Sequence, residues 1–69
     1  MSDYAALADE VSAVEGRVAD ALFDAVRAQL RGDPRSADQE RQLARVRRSL
    51  VKAEALLRAL SEVADQQSD

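Results

Sequence analysis

A row of basic side chains is the feature of this sequence best suited to chemistry with a partner. Four bases are spaced by four, three and four residues, which places them on one face of a helix. They are Arg41, Arg45, Arg48 and Lys52, and Arg47 lies beside them. An arginine guanidinium can donate two parallel hydrogen bonds to a carboxylate or a phosphate group. These five residues are the candidate partner-binding site: either they bind an anionic partner, or they pair with acidic residues of the same protein.

Catalysis has few candidate residues in this chain. The sequence contains no His and no Cys, so the commonest general bases, nucleophiles and metal ligands are missing. Glu10 and Glu15 would need a cleft to act as an acid–base pair, and two packed helices do not provide one. We therefore predict a non-enzymatic protein with no catalytic residues, no metal site and no cofactor.

The basic row must be positioned by helices, and the chain is predicted to form one domain of two helices joined by a turn. Gly32 suits the left-handed backbone position after a helix end. Asp33 followed by Pro34 suits the cap and the first position of the next helix, and Ser36 with Gln39 is an alternative capping box. The predicted elements are a helix over 3–31, a turn over 32–34, a helix over 35–65 and a frayed tail over 66–69.

Each predicted helix carries an apolar stripe that repeats every seven residues. In the first helix the two series are Tyr4, Val11, Val18 and Ala25, and Leu7, Val14, Ala21 and Ala28. In the second helix they are Leu43, Leu50, Leu57 and Ala64, and Val46, Ala53 and Leu60. Because the connection is short, the helices are expected to be antiparallel neighbours. The predicted fold class is therefore all-α, a coiled-coil-like antiparallel hairpin.

Further apolar residues make the stripes wider than one neighbouring helix can cover. A chain of 69 residues buries a small fraction of its surface. Without Cys it cannot add disulfides, so a second subunit is the remaining means of completing the core. We therefore predict a homodimer that forms a four-helix bundle. The residues predicted to mediate self-association are Leu22, Val26, Val51, Leu56 and Val63.

Charge is sorted along the chain. Residues 1–24 hold six acids and one base, a net charge of −5, and residues 53–69 hold four acids and one base, a net charge of −3. Residues 27–52 hold eight bases and three acids, a net charge of +5. A hairpin of this sequence is therefore positive toward its turn and negative at its termini. Two such hairpins are expected to attract one another head to tail, as an antiparallel dimer.

The segment 40–50, ERQLARVRRSL, resembles a stretch of RsiG, an actinobacterial anti-sigma family whose antiparallel hairpin binds cyclic di-GMP to hold its sigma factor. The family motif is Glu, three residues, Ser, two residues, Arg, three residues, Gln, three residues, Asp, on both helices. Its Glu and Arg positions match Glu40 and Arg47 in the second helix, and Glu10 and Arg17 in the first. The Ser, Gln and Asp positions hold apolar residues, which are Val14, Ala21 and Ala25 in the first helix and Ala44, Val51 and Ala55 in the second.

The resemblance implies a hairpin that regulates a protein such as a sigma factor. Since nucleotide contacts need polar side chains, the apolar replacements predict that cyclic di-GMP is not bound. The chain is also similar in size and expected assembly to Rop, a small RNA-binding hairpin. Its 46–48 segment and two-helix layout resemble a small, strongly basic hairpin protein of the large ribosomal subunit. The net charge of −3 argues against nucleic acid as the partner, because phosphate binding needs a basic surface.

The sequence thus predicts a helical protein-interaction module, a regulatory adaptor or an anti-sigma-like sequestering protein. Two alternatives stay open: a Rop-like dimer that binds nucleic acid through the basic face, and a structural subunit of a larger assembly. No apolar run reaches the roughly 20 residues that a membrane span needs, and no signal-peptide pattern is present. A cytoplasmic location without membrane contact is therefore expected.

Overall fold

Two long helices account for nearly all of the computed structural model, which describes residues 3–67. Helix α1 spans Tyr4–Leu30 and helix α2 spans Ser36–Gln67. They pack against one another as an antiparallel hairpin whose Cα atoms extend over 58 × 14 × 13 Å, and no strand occurs in the described part of the chain. The all-α hairpin predicted from the sequence is confirmed.

The turn is held by the residues whose types suggested it. Gly32 has a φ of +84°, the left-handed conformation that favours glycine. The Asp33 carboxylate accepts a hydrogen bond from the Arg35 amide at 3.0 Å. The alternative capping box does not form, because the fully buried Ser36 hydroxyl donates to the Asp33 carbonyl at 2.7 Å instead of accepting from Gln39. At the other end of α1, Asp3 accepts from the Ala6 amide at 3.0 Å and caps the helix.

The limits of the helices differ slightly from those read from the sequence. The structure ends α1 at Leu30 and begins α2 at Ser36, so that the turn is longer than 32–34. Helix α2 continues to Gln67, beyond the predicted end at 65. Residues 68–69 of the predicted tail lie outside the described residues.

The seam, meaning the line along which α1 and α2 contact each other, contains every residue of one of the two predicted series on each helix. The buried and half-buried residues of this series on α1 are Tyr4, Val11, Val18 and Ala25. Those on α2 are Leu43, Leu50, Leu57 and Ala64, all half-buried. These eight side chains, together with Ala8 and Leu22, form most of the apolar part of the hairpin core.

The other predicted series lies in the seam only in part. Its alanines, Ala21 and Ala28 on α1 and Ala53 on α2, are half-buried, whereas its larger residues are not. Leu7 and Val14 stay largely exposed, and the positions one residue later, Ala8, Glu15 and Leu22, are the ones turned toward α2. Moving one residue along a helix turns the contact by about 100°. The small size of alanine explains why Ala8 faces α2 instead of Leu7. The fully buried Ala8 lets the two backbones approach more closely than leucine would.

Helix α2 shows the same displacement by one residue. Val46 and Leu60 are exposed, whereas Glu54 and Ser61, on the neighbouring series, are half-buried against α1. Glu40 belongs to this series and is half-buried as well. The seam therefore alternates between apolar and polar positions on α2, and much of the apolar surface is left outside it.

Candidate functional site

Six large apolar side chains lie on one side of the hairpin and form what we call the apolar face. Each precedes a seam residue by one position, as Leu7 precedes Ala8 and Leu56 precedes Leu57. In two antiparallel helices, residues displaced in the same sense from the seam emerge on the same side of the pair. The apolar face consists of Leu7, Val14, Val46, Leu56, Leu60 and Val63, all exposed.

A groove near the turn continues the apolar face. It has a volume of about 610 Å³ and is lined on α1 by Ala21, Ala25 and Ala28. Gln42 and Leu43 of α2 line its other wall. Residues of both helices border the groove. This agrees with the conclusion that residues preceding the seam on α1 and on α2 emerge on the same side of the hairpin. Large side chains thus dominate the open end of the face and small ones dominate the turn end.

The five residues predicted to mediate self-association do not lie together. Leu56 and Val63 are part of the apolar face. Leu22 is half-buried in the seam. Val26 and Val51 each follow a seam residue by one position, so they emerge on the opposite side of the hairpin.

The basic strip lies on the outer side of α2, away from α1. We give this name to Arg41, Arg45, Arg48 and Lys52, whose side chains are all exposed. Arg41 forms an ion pair with Asp38 of its own helix at 3.8 Å. Arg41, Arg45 and Arg48 border a shallow depression of about 360 Å³. The strip can therefore meet a partner without disturbing the seam.

Arg47, the fifth predicted binding residue, does not belong to the basic strip. It occupies the polar series of α2 that points toward α1, and its positive charge acts on Glu15. The two Glu–Arg pairs that match the RsiG motif are also separated. Glu40 and Arg47 belong to the polar series that faces α1. Glu10 and Arg17 each precede a seam residue by one position, so they lie on the same side of the hairpin as the apolar face. The structure does not gather these four residues into one site.

A cluster of charges crosses the middle of the seam. Arg58 bridges the helices: its guanidinium bonds Glu54 of its own helix, with Nε–Oε2 at 2.8 Å, and Asp9 of α1 at 3.3 Å. Glu54 also shares a hydrogen bond with Glu15 of α1. Within residues 3–67 no donor reaches the buried Oε2 atom of Glu15. Two carboxyl groups therefore face each other, and of the two it is Glu54 that accepts a hydrogen bond from a base.

The contact between the two carboxyl groups shifts their protonation in opposite directions. The hydrogen bond to Glu54 raises the pKa of Glu15, and burial and the negative charge of Glu54 act in the same direction. The hydrogen bonds from Glu15 and Arg58 lower the pKa of Glu54. The cluster is fully satisfied when Glu15 holds the proton and Glu54 is ionised.

This arrangement makes the stability of the hairpin depend on pH. The raised pKa of Glu15 stabilises the fold in acid, and that contribution is lost as the pH rises through the raised value. The lowered pKa of Glu54 stabilises the fold above the usual glutamate range and is lost as the pH falls through the lowered value. We expect maximum stability at mildly acidic pH, between the two.

Substitution Glu15→Gln tests this expectation. Glutamine can donate to Glu54 without carrying a charge, so the melting temperature at pH 7 should exceed that of the parent protein. The difference should shrink as the pH falls below the raised pKa of Glu15. Circular dichroism melts from pH 4 to 8 would measure it, with Glu10→Gln, an exposed glutamate of the same helix, as the control. A lower melting temperature for Glu15→Gln at pH 7 would contradict the assignment.

Sequence reasoning missed this cluster. The spacing of four between Glu54 and Arg58 is a recognisable signal for an ion pair along a helix. Glu15 gives no such signal, because a carboxylate at a seam position is visible only once the register of the two helices is known.

Comparison of the chain with protein-family models, with curated proteins and with solved structures found no match. Within residues 3–67 neither helix has an apolar stretch long enough to cross a membrane. Over the same residues no three His, Cys, Asp or Glu side chains are grouped so that they could hold a metal ion. The two surfaces that the geometry does present, the apolar face and the basic strip, are suited to binding.

Proposed function

We propose that this chain is a non-enzymatic protein-interaction module, an adaptor that binds the helices of a protein partner on its apolar face. One observation carries the proposal. Of the ten large apolar side chains that are exposed within the described residues, six lie on this one face, drawn from both helices. Exposed apolar side chains gathered on one side of a soluble protein mark interaction sites.

The basic strip supplies the adaptor with a second surface. It lies on the outer side of α2, so that it stays accessible when the apolar face is covered. Exposed arginines favour an acidic protein, since each guanidinium can bind a carboxylate with two hydrogen bonds. Regulation by sequestration follows from two such surfaces, because a factor that is held on one of them is withdrawn from its other contacts. The resemblance to RsiG supports a transcription factor such as a sigma factor in this role.

Affinity purification from the native host tests the adaptor role. Tagged parent protein would be compared with Leu60→Glu, which places a charge on the apolar face, and with Arg45→Glu/Arg48→Glu, which reverses the basic strip. Leu30→Glu is the matched control. Leu30 is 84% exposed, but it follows its neighbouring seam position, so it does not lie on the apolar face. We expect each surface variant to lose its own set of bound proteins, including untagged copies of the chain, and the control to lose none. Identical sets for all four proteins would contradict the proposal.

The strip variant also predicts a salt dependence. For an acidic protein partner, Arg45→Glu/Arg48→Glu should weaken binding roughly tenfold, since exposed ion pairs contribute about 0–1 kcal/mol each and reversal adds repulsion. Titration of the purified partner between 50 and 200 mM salt would measure a shallow loss of affinity for the parent chain. A loss of about a thousandfold over this range, with RNA or DNA as the bound species, would assign the strip to nucleic acid instead.

A further inference from the structure

We infer that the helices covering the apolar face are those of a second copy of this chain, laid head to tail so that its turn lies over the termini of the first. This inference rests on the proposed function of the apolar face and names its partner. It is supported by the surface area of the chain, by the distribution of large and small residues along the face, and by the distribution of charge.

The chain exposes more surface than a compact monomer of its mass. Its accessible surface is 5425 Å² at 7.5 kDa, whereas a folded monomer of this mass is expected to expose about 4,200 Å². The difference, about 1,200 Å², is close to the area that each subunit buries in a stable homodimer, where interfaces total about 2,000 Å² or more. One further hairpin of equal length is therefore enough to cover the excess.

Large and small residues are segregated to opposite ends of the face, which suits head-to-tail packing. When α1 of one copy lies antiparallel over α1 of the other, Leu7 faces Ala28 and Val14 faces Ala21, because the members of each pair are equally far from the middle of their series. Opposing large and small side chains keep the spacing of two helices uniform. The face therefore complements a reversed copy of itself.

The groove near the turn gives the same orientation. Its apolar lining consists of three alanines and Leu43, and its polar lining consists of Asp24, Asp38, Gln39 and Gln42. With a volume of about 610 Å³ and small apolar side chains, it leaves room for bulky side chains from outside. In the head-to-tail arrangement Leu7 and Leu60 of the second copy reach it. In the alternative arrangement, with both turns at one end, Leu7 would lie at the level of Leu60 of the second copy. That end would be crowded and the groove would stay empty.

Charge favours the same orientation. Residues 27–52, around the turn, have a net charge of +5, whereas residues 1–24 and 53–69 have net charges of −5 and −3. Reversing the second copy brings its positive half over the negative half of the first. Stacking the copies with both turns at one end would bring like charges together at each end.

The opposite side of the hairpin is a poorer interface. The ion pair between Arg58 and Asp9 crosses it, and Arg41 and Arg48 of the basic strip border it on α2. A partner helix on either side would have to remove charges from water, since Glu10 and Arg17 lie on the side of the apolar face. The opposite side offers only four exposed large apolar side chains to offset that cost, whereas the apolar face offers six.

Two measurements on the full chain test the inference. Sedimentation equilibrium should give a mass of twice 7.5 kDa at micromolar concentration. Because the sequence contains no Cys, Arg35→Cys introduces a unique site for a spin label at the exposed turn. In a head-to-tail dimer the two labels should be about 45 Å apart at a rise of 1.5 Å per residue. With both turns at one end the separation would be about 20 Å, from helix spacings of 8–10 Å.

Variants identify the face. Leu60→Glu should raise the dimer dissociation constant at least thirtyfold, since it places a charge where Leu60 is proposed to enter the groove near the turn of the second copy. Leu30→Glu and Val51→Glu, on the other side, should leave it within threefold. If Leu60→Glu fails to fold, the distance between the two spin labels still tests the inference, since that measurement needs only the Arg35→Cys change.

The outcomes separate this inference from the proposed function. A monomeric parent protein at 100 μM, a label separation of about 20 Å, or a dimer broken by Val51→Glu and kept by Leu60→Glu would each overturn the inference. In any of these cases, a different protein purified with the parent chain and lost with Leu60→Glu would still support the adaptor role.

Discussion

Replacing Leu57 by alanine is expected to remove a large part of the free energy of unfolding of the protein. Leu57 is half-buried in the middle of the seam, where the few large core residues of the hairpin meet. Truncation of a core leucine costs about 2–5 kcal/mol. A domain of 69 residues has a total stability of roughly 3–10 kcal/mol, so the loss removes a large part of it. Urea unfolding followed by circular dichroism would measure the change.

The neighbouring residue provides the control for this experiment. Leu56 has the same side chain, but it lies on the apolar face and is 59% exposed. At concentrations too low for association, Leu56→Ala should cost well under half of the free energy that Leu57→Ala costs. Equal losses from the two variants would show that the seam has been assigned to the wrong residues.

The two glycines are expected to respond to alanine in opposite directions. Gly32→Ala forces a side chain into a left-handed conformation, with φ at +84°, which costs about 1–2 kcal/mol. Gly16 lies inside α1, where an added Cβ would meet no atom within 4 Å. Gly16→Ala should therefore stabilise the protein by about 0.5–1 kcal/mol, because alanine loses less backbone entropy in a helix.

Thermal melts of both glycine variants, with the parent protein alongside, would measure this difference. Destabilisation by Gly16→Ala would mean that a partner helix passes close to this position. A neutral Gly32→Ala would mean that the turn does not require a left-handed residue.

Periodicity predicted the hairpin because its signals are local. Gly32 marks the end of α1, and the series through Val18 and Leu50 identifies the stripe that packs in the seam. These residues indicate structure without reference to the other helix, since a helix places residues seven apart on one face whatever it packs against.

The second seam series could not be predicted in the same way. Leu7 and Ala8 are adjacent in the sequence, and either could face α2. The choice depends on how closely two helices approach, which is decided by small residues on both of them. Periodicity favoured leucine, whereas close packing favoured alanine. Because the predicted seam was displaced by one residue, the contact between Glu15 and Glu54 was not foreseen. For the same reason Val51 was predicted to lie with Leu56 and Val63, although it lies on the other side of the hairpin.

The small core of the hairpin is expected to limit the abundance of this protein in the cell. Within the described residues the buried apolar side chains are those of Ala8 and Ala25, which contribute little burial free energy. A hairpin with so small a core opens often, and opened chains are cut by proteases. Binding of a partner lowers the open fraction by mass action. We expect copies without a partner to be degraded, so that the abundance of the protein follows the supply of its partner.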